Sequence, residues 1–277
     1  MIAVDRLAWF GAWTVVQLDR IGQGALFTLA TLRALVVGTG PTGRFRLLLP
    51  QLYAIGTRSV PVIVLVGTFV GAVLGVESFA QFEALGQEAR LGAVINISVV
   101  RQIGPVLAAV MIAGRVGGSV AAELGTMRVT EQIDALRVMG ADPVAYLVAP
   151  RVLACLIMLP VLTVVSDLMG ILGGYLVVVV ALGVEPAQYW TYSSEFVKPW
   201  DVSTGLIKSF FFGAAIGLIS CFKGFHCNAG AAGVGRAATD AFVSSFIAII
   251  VINFVLAKFL RDLYIAIYGD AGTTFIG

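Results

Sequence analysis

The stretch AELGTMRVTEQIDALRVMGADP (residues 122–143) decides the fold, because it is a charge-dense island between two long apolar blocks. The whole chain has only 12% charged residues. A helix this polar is too costly to place in hydrocarbon, so we expect it in water, with a membrane span at each end. Its charged residues are Glu123, Arg128, Glu131, Asp134, Arg137 and Asp142.

The island has the periodicity of a short amphipathic helix. Val129, Ile133 and Leu136 recur at helical spacing and predict one apolar stripe. Thr130 is a candidate N-cap, and Gly140 is typical of the residue that ends a helix. The pattern therefore predicts a helix that begins near Thr130 and ends before Gly140.

The charges of this helix fall at spacings that allow ion pairs. We expect Arg128 to pair with Glu131, and Asp134 with Arg137, each at i,i+3. Such a helix either docks onto a partner protein or simply connects two spans. Periodicity alone does not separate these two interpretations.

Composition places the chain in a membrane. Its 277 residues are 59% hydrophobic with a mean hydropathy of +0.96, whereas soluble domains are roughly 45–50% apolar. The net charge of +2 gives no indication of nucleic-acid binding. The sequence predicts an all-α membrane protein with five transmembrane helices, over residues 52–76, 94–121, 144–183, 203–222 and 241–260.

Residues 1–46 are predicted to form an interfacial amphipathic helical segment rather than a cleaved signal peptide. Trp9 and Trp13 suit the membrane–water boundary, and Arg33 suits anionic headgroups. Lys and Arg are concentrated before the first span and in the segments 114–151 and 223–240. The positive-inside rule then places the N-terminus and the 122–143 island in the cytoplasm.

Several shorter features complete the membrane part. Gly67, Gly71 and Gly75 form a small-residue face that permits close helix packing, within one subunit or between two. Residues 184–202 and the Gly-rich stretch 223–240 are predicted as loops.

We predict no catalytic residue and no metal site in this chain. No Gly-Lys-Ser/Thr sequence of a Walker A motif occurs, and the lone His226 has no ligand partners at useful spacing. The three cysteines match neither a zinc pattern nor a disulfide framework.

Polar residues inside the spans are the candidates for function, because a charge in hydrocarbon usually faces a cavity or a partner. Arg101 lies near the outer part of the second span, where its guanidinium either binds a lipid phosphate or reaches to the membrane surface. Asp167 and Lys208 either pair across helices or serve structure only.

Three stretches are similar to the MlaE/YrbE permease family: VVRQIGPVLAAVMIAGRVGGSVAAELG (99–125), LRVMGADPVAYLVAPRVLA (136–154) and GLIKSFFFG (205–213). The resemblance runs collinearly from about Pro50 to about Leu256 and implies an MlaE-like permease domain over 47–277. It also implies the family fold, an interfacial N-terminal helix and five membrane helices with a cytoplasmic coupling helix between the second and third.

The resemblance implies a role for this chain in lipid transport. Family members are permease subunits of ABC systems in bacterial inner membranes and plastid envelopes. They assemble as a homodimer or a pair of homologues with an ATPase subunit, which binds ATP and Mg, and an MCE-domain substrate-binding protein. They carry phospholipid or related lipid.

Residue by residue, the resemblance implies two sites. The lipid cavity would be lined by Arg101, Gln102, Phe82 and Leu85, although the best-known members have Glu at the position of Gln102. The coupling helix would contact the ATPase through Arg128, Glu131, Asp134, Leu136 and Arg137.

Two other function classes remain open from the residues themselves. An ion-coupled secondary transporter would use Asp167 as its titrating group, but it predicts an internal repeat that we do not find. A membrane scaffold would bind partners without transporting anything.

Overall fold

The computed structural model describes residues 18–19, 22–35 and 41–269, and these residues contain helices and turns but no β-strand. The helices are α1 (22–35), α2 (Pro41–Ile55), α3 (Val60–Ala84), α4 (Leu91–Ser98), α5 (Gly104–Ile112), α6 (Gly118–Val129), α7 (Gln132–Val138), α8 (Ala149–Tyr175), α9 (Pro186–Phe196), α10 (Pro199–Phe225) and α11 (Ala231–Tyr268).

Five of the described segments are long and apolar enough to cross a membrane, which confirms the predicted number of spans. The first three contain short turns of tighter or wider helix, and the fourth and fifth are single α-helices. Four of the five begin or end well beyond the apolar core recognised in the sequence. Their bounds are Arg46–Ala84, Glu88–Val129, Val144–Ala181, Pro199–Phe225 and Ala231–Ile267.

Two predicted loops are wrong. Within 184–202 the chain forms α9, which begins at Pro186, a residue whose fixed φ suits the first turn of a helix. The Gly-rich stretch 223–240 is mostly the first turns of α11, which begins after Gly230 at φ 84°. Gly233, in the first turn of α11, lets the backbone of Asn228 approach closely, because a Cβ at this position would collide with it.

The first and third spans pack directly against each other through glycines, as the small-residue face predicts. A Cβ on Gly71 would overlap the carbonyl of Gly170, and one on Gly173 would overlap the carbonyl of Thr68. Gly67 faces the Ser166 carbonyl in the same way. This close contact lies within one subunit, so the glycine face is not free to join two copies.

The main core lies between the second, third and fourth spans, where Ile112, Leu124, Leu162 and Phe212 are fully buried. One end of the bundle carries α7 and the turn after α10, and the thiol of Cys227 in that turn approaches the carbonyl of Gly125 in α6. This is the end that the sequence assigns to the cytoplasm.

Only part of the predicted interfacial segment can be checked. Trp9 and Trp13 lie outside the described residues, and α1 is the part that the structure describes. Phe27 of α1 packs its ring against Phe222 and Phe225 at the end of the fourth span. Leucines on the opposite face of α1 are exposed: Leu26, Leu29 and Leu32.

The opposite end of the bundle carries α9, which a buried hydrogen-bond network fixes to α4. The Tyr189 hydroxyl donates to Asn96 Oδ1 at 3.0 Å, and Asn96 Nδ2 donates to Ser193 Oγ at 2.9 Å. Gly92 leaves room for the Tyr189 ring, because a Cβ there would lie 2.6 Å from it. Burial raises the pKa of Tyr189 to about 12.

Candidate functional site

A π-helical turn in the second span presents Arg101 and Gln102. The turn covers Val99–Ile103, and the Gly104 N–H bonds to the carbonyl of Val99, five residues back. This wider turn shifts the following side chains around the helix relative to a regular α-helix. Gly205 of α10 packs closely against this turn. Any larger residue at position 205 would bring its Cβ into collision with the Val100 carbonyl.

Lys208 of α10 is joined to this turn. The residue is 1% exposed, and its ammonium donates to Gln102 Oε1 at 2.6 Å and to the carbonyl of Arg101 at 3.1 Å. Both acceptors are uncharged. Lys208 therefore connects the fourth span to the second by hydrogen bonds rather than by an ion pair, and Asp167 is not its partner.

Arg101 faces a carboxylate that the sequence analysis missed. Its Nη1 lies 3.8 Å from Oδ1 of Asp201, and 41% of the arginine side chain is exposed while the aspartate is buried. The second oxygen of Asp201 accepts from the backbone N–H of Lys198 at 3.0 Å, which caps α10. Pro199 followed by Asp201 is a recognisable helix-start signal that could have pointed to this residue.

Arg101 and Gln102 line one cavity of about 390 Å³ together with Ile97, Ser98 and Ile103. Such a cavity has a few hydrogen-bonding groups in otherwise apolar walls, and its volume is at the low end of those that hold drug-sized ligands. Predicted lining residues Phe82 and Leu85 are not among the residues that line it. Phe82 packs beside the α4–α9 cluster, and Leu85 is 71% exposed at the end of α3.

Asp167 lies on the other side of the same turn. Its carboxylate fills the space that a Cβ on Gly104 would occupy, and its Oδ1 is buried with no hydrogen-bond partner among the described residues. Asp167 is not among the residues that line the cavity. It contacts the backbone of the second span at Gly104.

At the opposite end of the second span the chain turns sharply into α7. Thr130 is the residue that ends α6, not the cap of α7, so the predicted cap is wrong. The corner residue is Glu131, whose φ of 60° is the only positive value of a non-glycine residue in the described part of the chain. Residues other than glycine rarely adopt this left-handed conformation. The helical periodicity therefore gave no indication that the chain turns at Glu131.

The change of direction at Glu131 also changes the ion pairs. The predicted pair of Arg128 with Glu131 is not formed, because the corner carries Glu131 away. Arg128 instead binds both oxygens of Asp134, at 2.9 and 3.0 Å. Arg137 donates to the same carboxylate at 2.9 Å, as the i,i+3 spacing predicts.

The far end of α7 matches the sequence closely. Gly140 has φ 78°, its N–H bonds to the carbonyl of Arg137, and the Ala141 N–H bonds to the carbonyl of Leu136. These two bonds form the Schellman motif that ends a helix at glycine. Asp142 Oδ1 then accepts from the Val144 N–H at 3.0 Å, at the start of the third span.

The two faces of α7 differ in what they contact. Ile133 is fully buried and Leu136 is half-buried against the core, so these two residues of the predicted stripe anchor the helix. The third, Val129, belongs to α6 and is 38% exposed, so the prediction is wrong for that residue. Val138 and Met139 are 89% and 72% exposed at its end. Two adjacent exposed apolar side chains on a polar helix are typical of a protein contact, and the periodicity did not single them out.

Comparisons with known proteins agree over most of the chain. The family model described as Permease MlaE matches residues 48–259. A Rickettsia bellii protein named "Probable ABC transporter permease protein" is 41% identical over 248 residues, which cover 90% of this chain and 95% of the relative.

Two further relatives carry more specific names. One is "Intermembrane phospholipid transport system permease protein MlaE" of Haemophilus influenzae, 34% identical over 78% of this chain and 83% of the relative. The other is "Protein TRIGALACTOSYLDIACYLGLYCEROL 1, chloroplastic" of Arabidopsis thaliana, 39% identical over 76% of this chain and 60% of the relative.

Proposed function

Because this chain belongs to the MlaE permease family, we propose that it is the membrane subunit of an ABC transporter that moves phospholipid. The members of this family are transport permeases rather than enzymes, and a separate subunit hydrolyses ATP. In this proposal lipid passes between the inner membrane and an MCE-domain substrate-binding protein, and ATP and Mg bind to the partner ATPase.

One observation carries the proposal: the polar cavity and the α7 corner lie at opposite ends of one continuous helix. The second span runs over Glu88–Val129, with Arg101 toward its beginning and Val129 at its end. At 1.5 Å per residue the helix rises roughly 42 Å between these two residues, more than the ~30 Å of a hydrocarbon core. This arrangement fits a transporter that senses a partner on one side and opens a lipid site on the other.

The cavity supplies the few polar contacts that a phospholipid needs. A phospholipid has one phosphate and two long apolar tails, so its carrier requires donors for the phosphate and apolar walls elsewhere. Arg101 and Gln102 provide the donors, and we propose that Phe82 and Leu85, at the end of α3, contact acyl chains outside the cavity. The Arg101 guanidinium is suited to paired hydrogen bonds with phosphate oxygens.

We also propose that two copies of the permease form the complete chamber. A cavity of about 390 Å³ that opens at the surface of one copy does not enclose a two-chain lipid. The partner copy, identical or homologous, would supply the missing wall. Because the glycine face is already used inside the subunit, other surfaces must form this contact.

The helix α7 is the proposed coupling helix, and its exposed end is the proposed contact. Val138 and Met139 would enter a groove of the ATPase, since buried apolar anchors dominate the energy of most protein interfaces. The ion pairs of Asp134 with Arg128 and Arg137 would fix the geometry of the corner. Glu131 would add a negative charge at the edge of the ATPase contact. This assignment requires α7 and the N-terminus to be cytoplasmic.

The proposal is tested with the permease purified in mild detergent together with its associated subunits. We expect an ATPase subunit to co-purify, and after reconstitution we expect ATP to drive transfer of fluorescent phospholipid. The control is an ATPase subunit with its nucleotide site inactivated. Lipid transfer that needs a proton gradient but no ATP would favour an ion-coupled carrier and overturn the proposal.

A further inference from the structure

The polar residues of the cavity lining are Ser98, Arg101 and Gln102, and the buried Lys208 lies behind them. Lys208 has three N–H groups, of which two bond to Gln102 and to the Arg101 carbonyl, and no described residue accepts the third. Since both acceptors are neutral, the buried ammonium has no carboxylate partner. Its charge is solvated by dipoles only, which leaves it attractive to an anion.

The contact with Lys208 also fixes the orientation of the Gln102 amide. Only its oxygen can accept from an ammonium, so the NH₂ group points away from Lys208. Gln102 is an exposed residue that lines the cavity. Its NH₂ group therefore adds two donors there. A glutamate at this position would neutralise Lys208 and present an acceptor to the cavity instead.

The carboxylate nearest to the cavity is already engaged. Asp201 caps α10 through the Lys198 N–H and lies 3.8 Å from Arg101, and it is not among the lining residues. Asp167 is turned toward Gly104 on the far side of the π turn. No carboxylate among the described residues therefore lines the cavity beside Arg101 and Gln102.

We propose that this cavity selects lipids whose headgroup carries net negative charge and no ammonium, over zwitterionic lipids of the same chain length. The proposal rests on the lipid-transport function proposed above and names its substrate class. Phosphate oxygens accept from Arg101 and Gln102 in either lipid class. An ethanolamine or choline ammonium, however, finds no carboxylate in the lining, only the Ser98 hydroxyl, and lies near two cations, which disfavours it.

Gln102 is then the residue that determines headgroup specificity. Its neutral amide leaves Lys208 without a carboxylate partner and keeps the cavity lining free of anionic acceptors. Substitution Gln102→Glu reverses both properties with almost no change in volume. The side chain remains within reach of the Lys208 ammonium, where an ion pair replaces the present hydrogen bond.

The experiment uses the intact complex in lipid nanodiscs that contain equal amounts of phosphatidylglycerol and phosphatidylethanolamine. The complex is extracted, and the bound lipid is quantified by mass spectrometry. We expect phosphatidylglycerol to be enriched on the order of tenfold in the unaltered protein. The Gln102→Glu variant should lose most of this enrichment, while Gln188→Glu, the same change on exposed α9, should keep it.

A second measurement needs no variant. Phosphatidylglycerol should displace a bound fluorescent lipid from the unaltered complex at a lower concentration than phosphatidylethanolamine does. Bound lipid at the input ratio in all three proteins, with equal displacement by both lipids, overturns the specificity but leaves the transport function standing. If no lipid of either class binds, the proposed function fails and the specificity fails with it.

Discussion

The charged groups at the two ends of the second span are arranged in opposite ways. At the α7 corner Asp134 lies between Arg128 and Arg137, in short ion pairs whose side chains are 39% to 56% exposed. At the cavity Lys208 is buried with neutral partners, and Arg101 lies 3.8 Å from its nearest carboxylate. At the corner one exposed carboxylate pairs closely with two arginines, whereas at the cavity the buried Lys208 has only neutral partners and Arg101 has a longer pair with Asp201.

The difference shows what each set of charges does. Exposed ion pairs stabilise little, about 0–1 kcal/mol each, so the corner network mainly fixes geometry. A buried cation without an anion is costly, as at Lys208, and under the proposed function a lipid phosphate would offset that cost. Mutations at the cavity should therefore change ligand binding, while those at the corner should change assembly or local stability.

The largest effect is expected from Arg101→Ala. Loss of a charged hydrogen-bonding group is worth about 1.5–3 kcal/mol, so lipid binding should weaken about 10- to 100-fold. Arg101→Lys should restore binding only in part, because an ammonium lacks the planar fork. The measurement is lipid recovered with the purified complex, with assembly checked by size-exclusion chromatography. Full lipid recovery with Arg101→Ala would mean that this arginine only anchors the span at the membrane surface.

A comparable change at the other end should affect assembly instead. Met139→Glu places a charge at the most apolar exposed part of α7, and loss of an interface anchor costs about 2 kcal/mol or more. We expect ATPase affinity to fall about 30-fold with no loss of bound lipid. Val129→Glu is the control, because Val129 is exposed to a smaller degree and precedes the corner. Equal loss in both variants would place the contact elsewhere.

A smaller effect should follow from Tyr189→Phe, which leaves the buried Asn96 Oδ1 without its donor and should cost about 1–3 kcal/mol of stability. The pKa of Tyr189 is raised to about 12 by burial. Its neutral phenol therefore contributes stability that is present below about pH 10, the ordinary tyrosine pKa, and is lost as pH rises toward 12.

The check is the difference in melting temperature between the parent and the Tyr189→Phe variant from pH 8 to pH 12. This difference should shrink above about pH 10. Tyr192→Phe on the same helix is the control and should show no such trend. A difference in melting temperature that stays constant from pH 8 to pH 12 would contradict the claim that burial raises the pKa of Tyr189.

The smallest effect is expected at Glu131. A non-glycine residue in the left-handed region costs about 1–2 kcal/mol, and a β-branched side chain fits there least well. Glu131→Val should lower thermal stability by about 1 kcal/mol. Glu131→Gly should be neutral, because relief of strain is offset by the greater freedom of glycine in the unfolded chain. Identical melting curves for both variants would argue against a strained corner.

Much of the fold follows from local sequence. Runs of apolar residues gave the five spans, and Gly71 belongs to a small-residue face that predicted a close helix contact without identifying the partner span. Gly140 predicted the end of α7 because glycine adopts positive φ at little cost. Glu131 also adopts a positive φ, but a glutamate gives no indication of this in the sequence. The corner and the pairing of Arg128 with Asp134 were therefore not predicted.

The cavity was only partly predictable for a different reason. Arg101 and Gln102 stand out because polar residues are rare inside spans. Their partners Lys208 and Asp201 lie about 100 residues later, and the π turn that directs them leaves no periodic mark. Contacts between residues so far apart in the sequence depend on how the spans pack. The sequence alone therefore did not decide whether Lys208 pairs with another residue or has only a structural role.

The single helix from Glu88 to Val129 imposes a reciprocity on its two ends. If a lipid in the cavity changes the affinity of α7 for its ATPase by some factor, the ATPase must change the affinity for lipid by that same factor. The π turn at Ala113–Gly117 lies between the two ends, and such turns are frequent at functional sites. Under this proposal, the occupancy of the cavity by lipid and the binding of the ATPase to α7 therefore report the same coupling free energy.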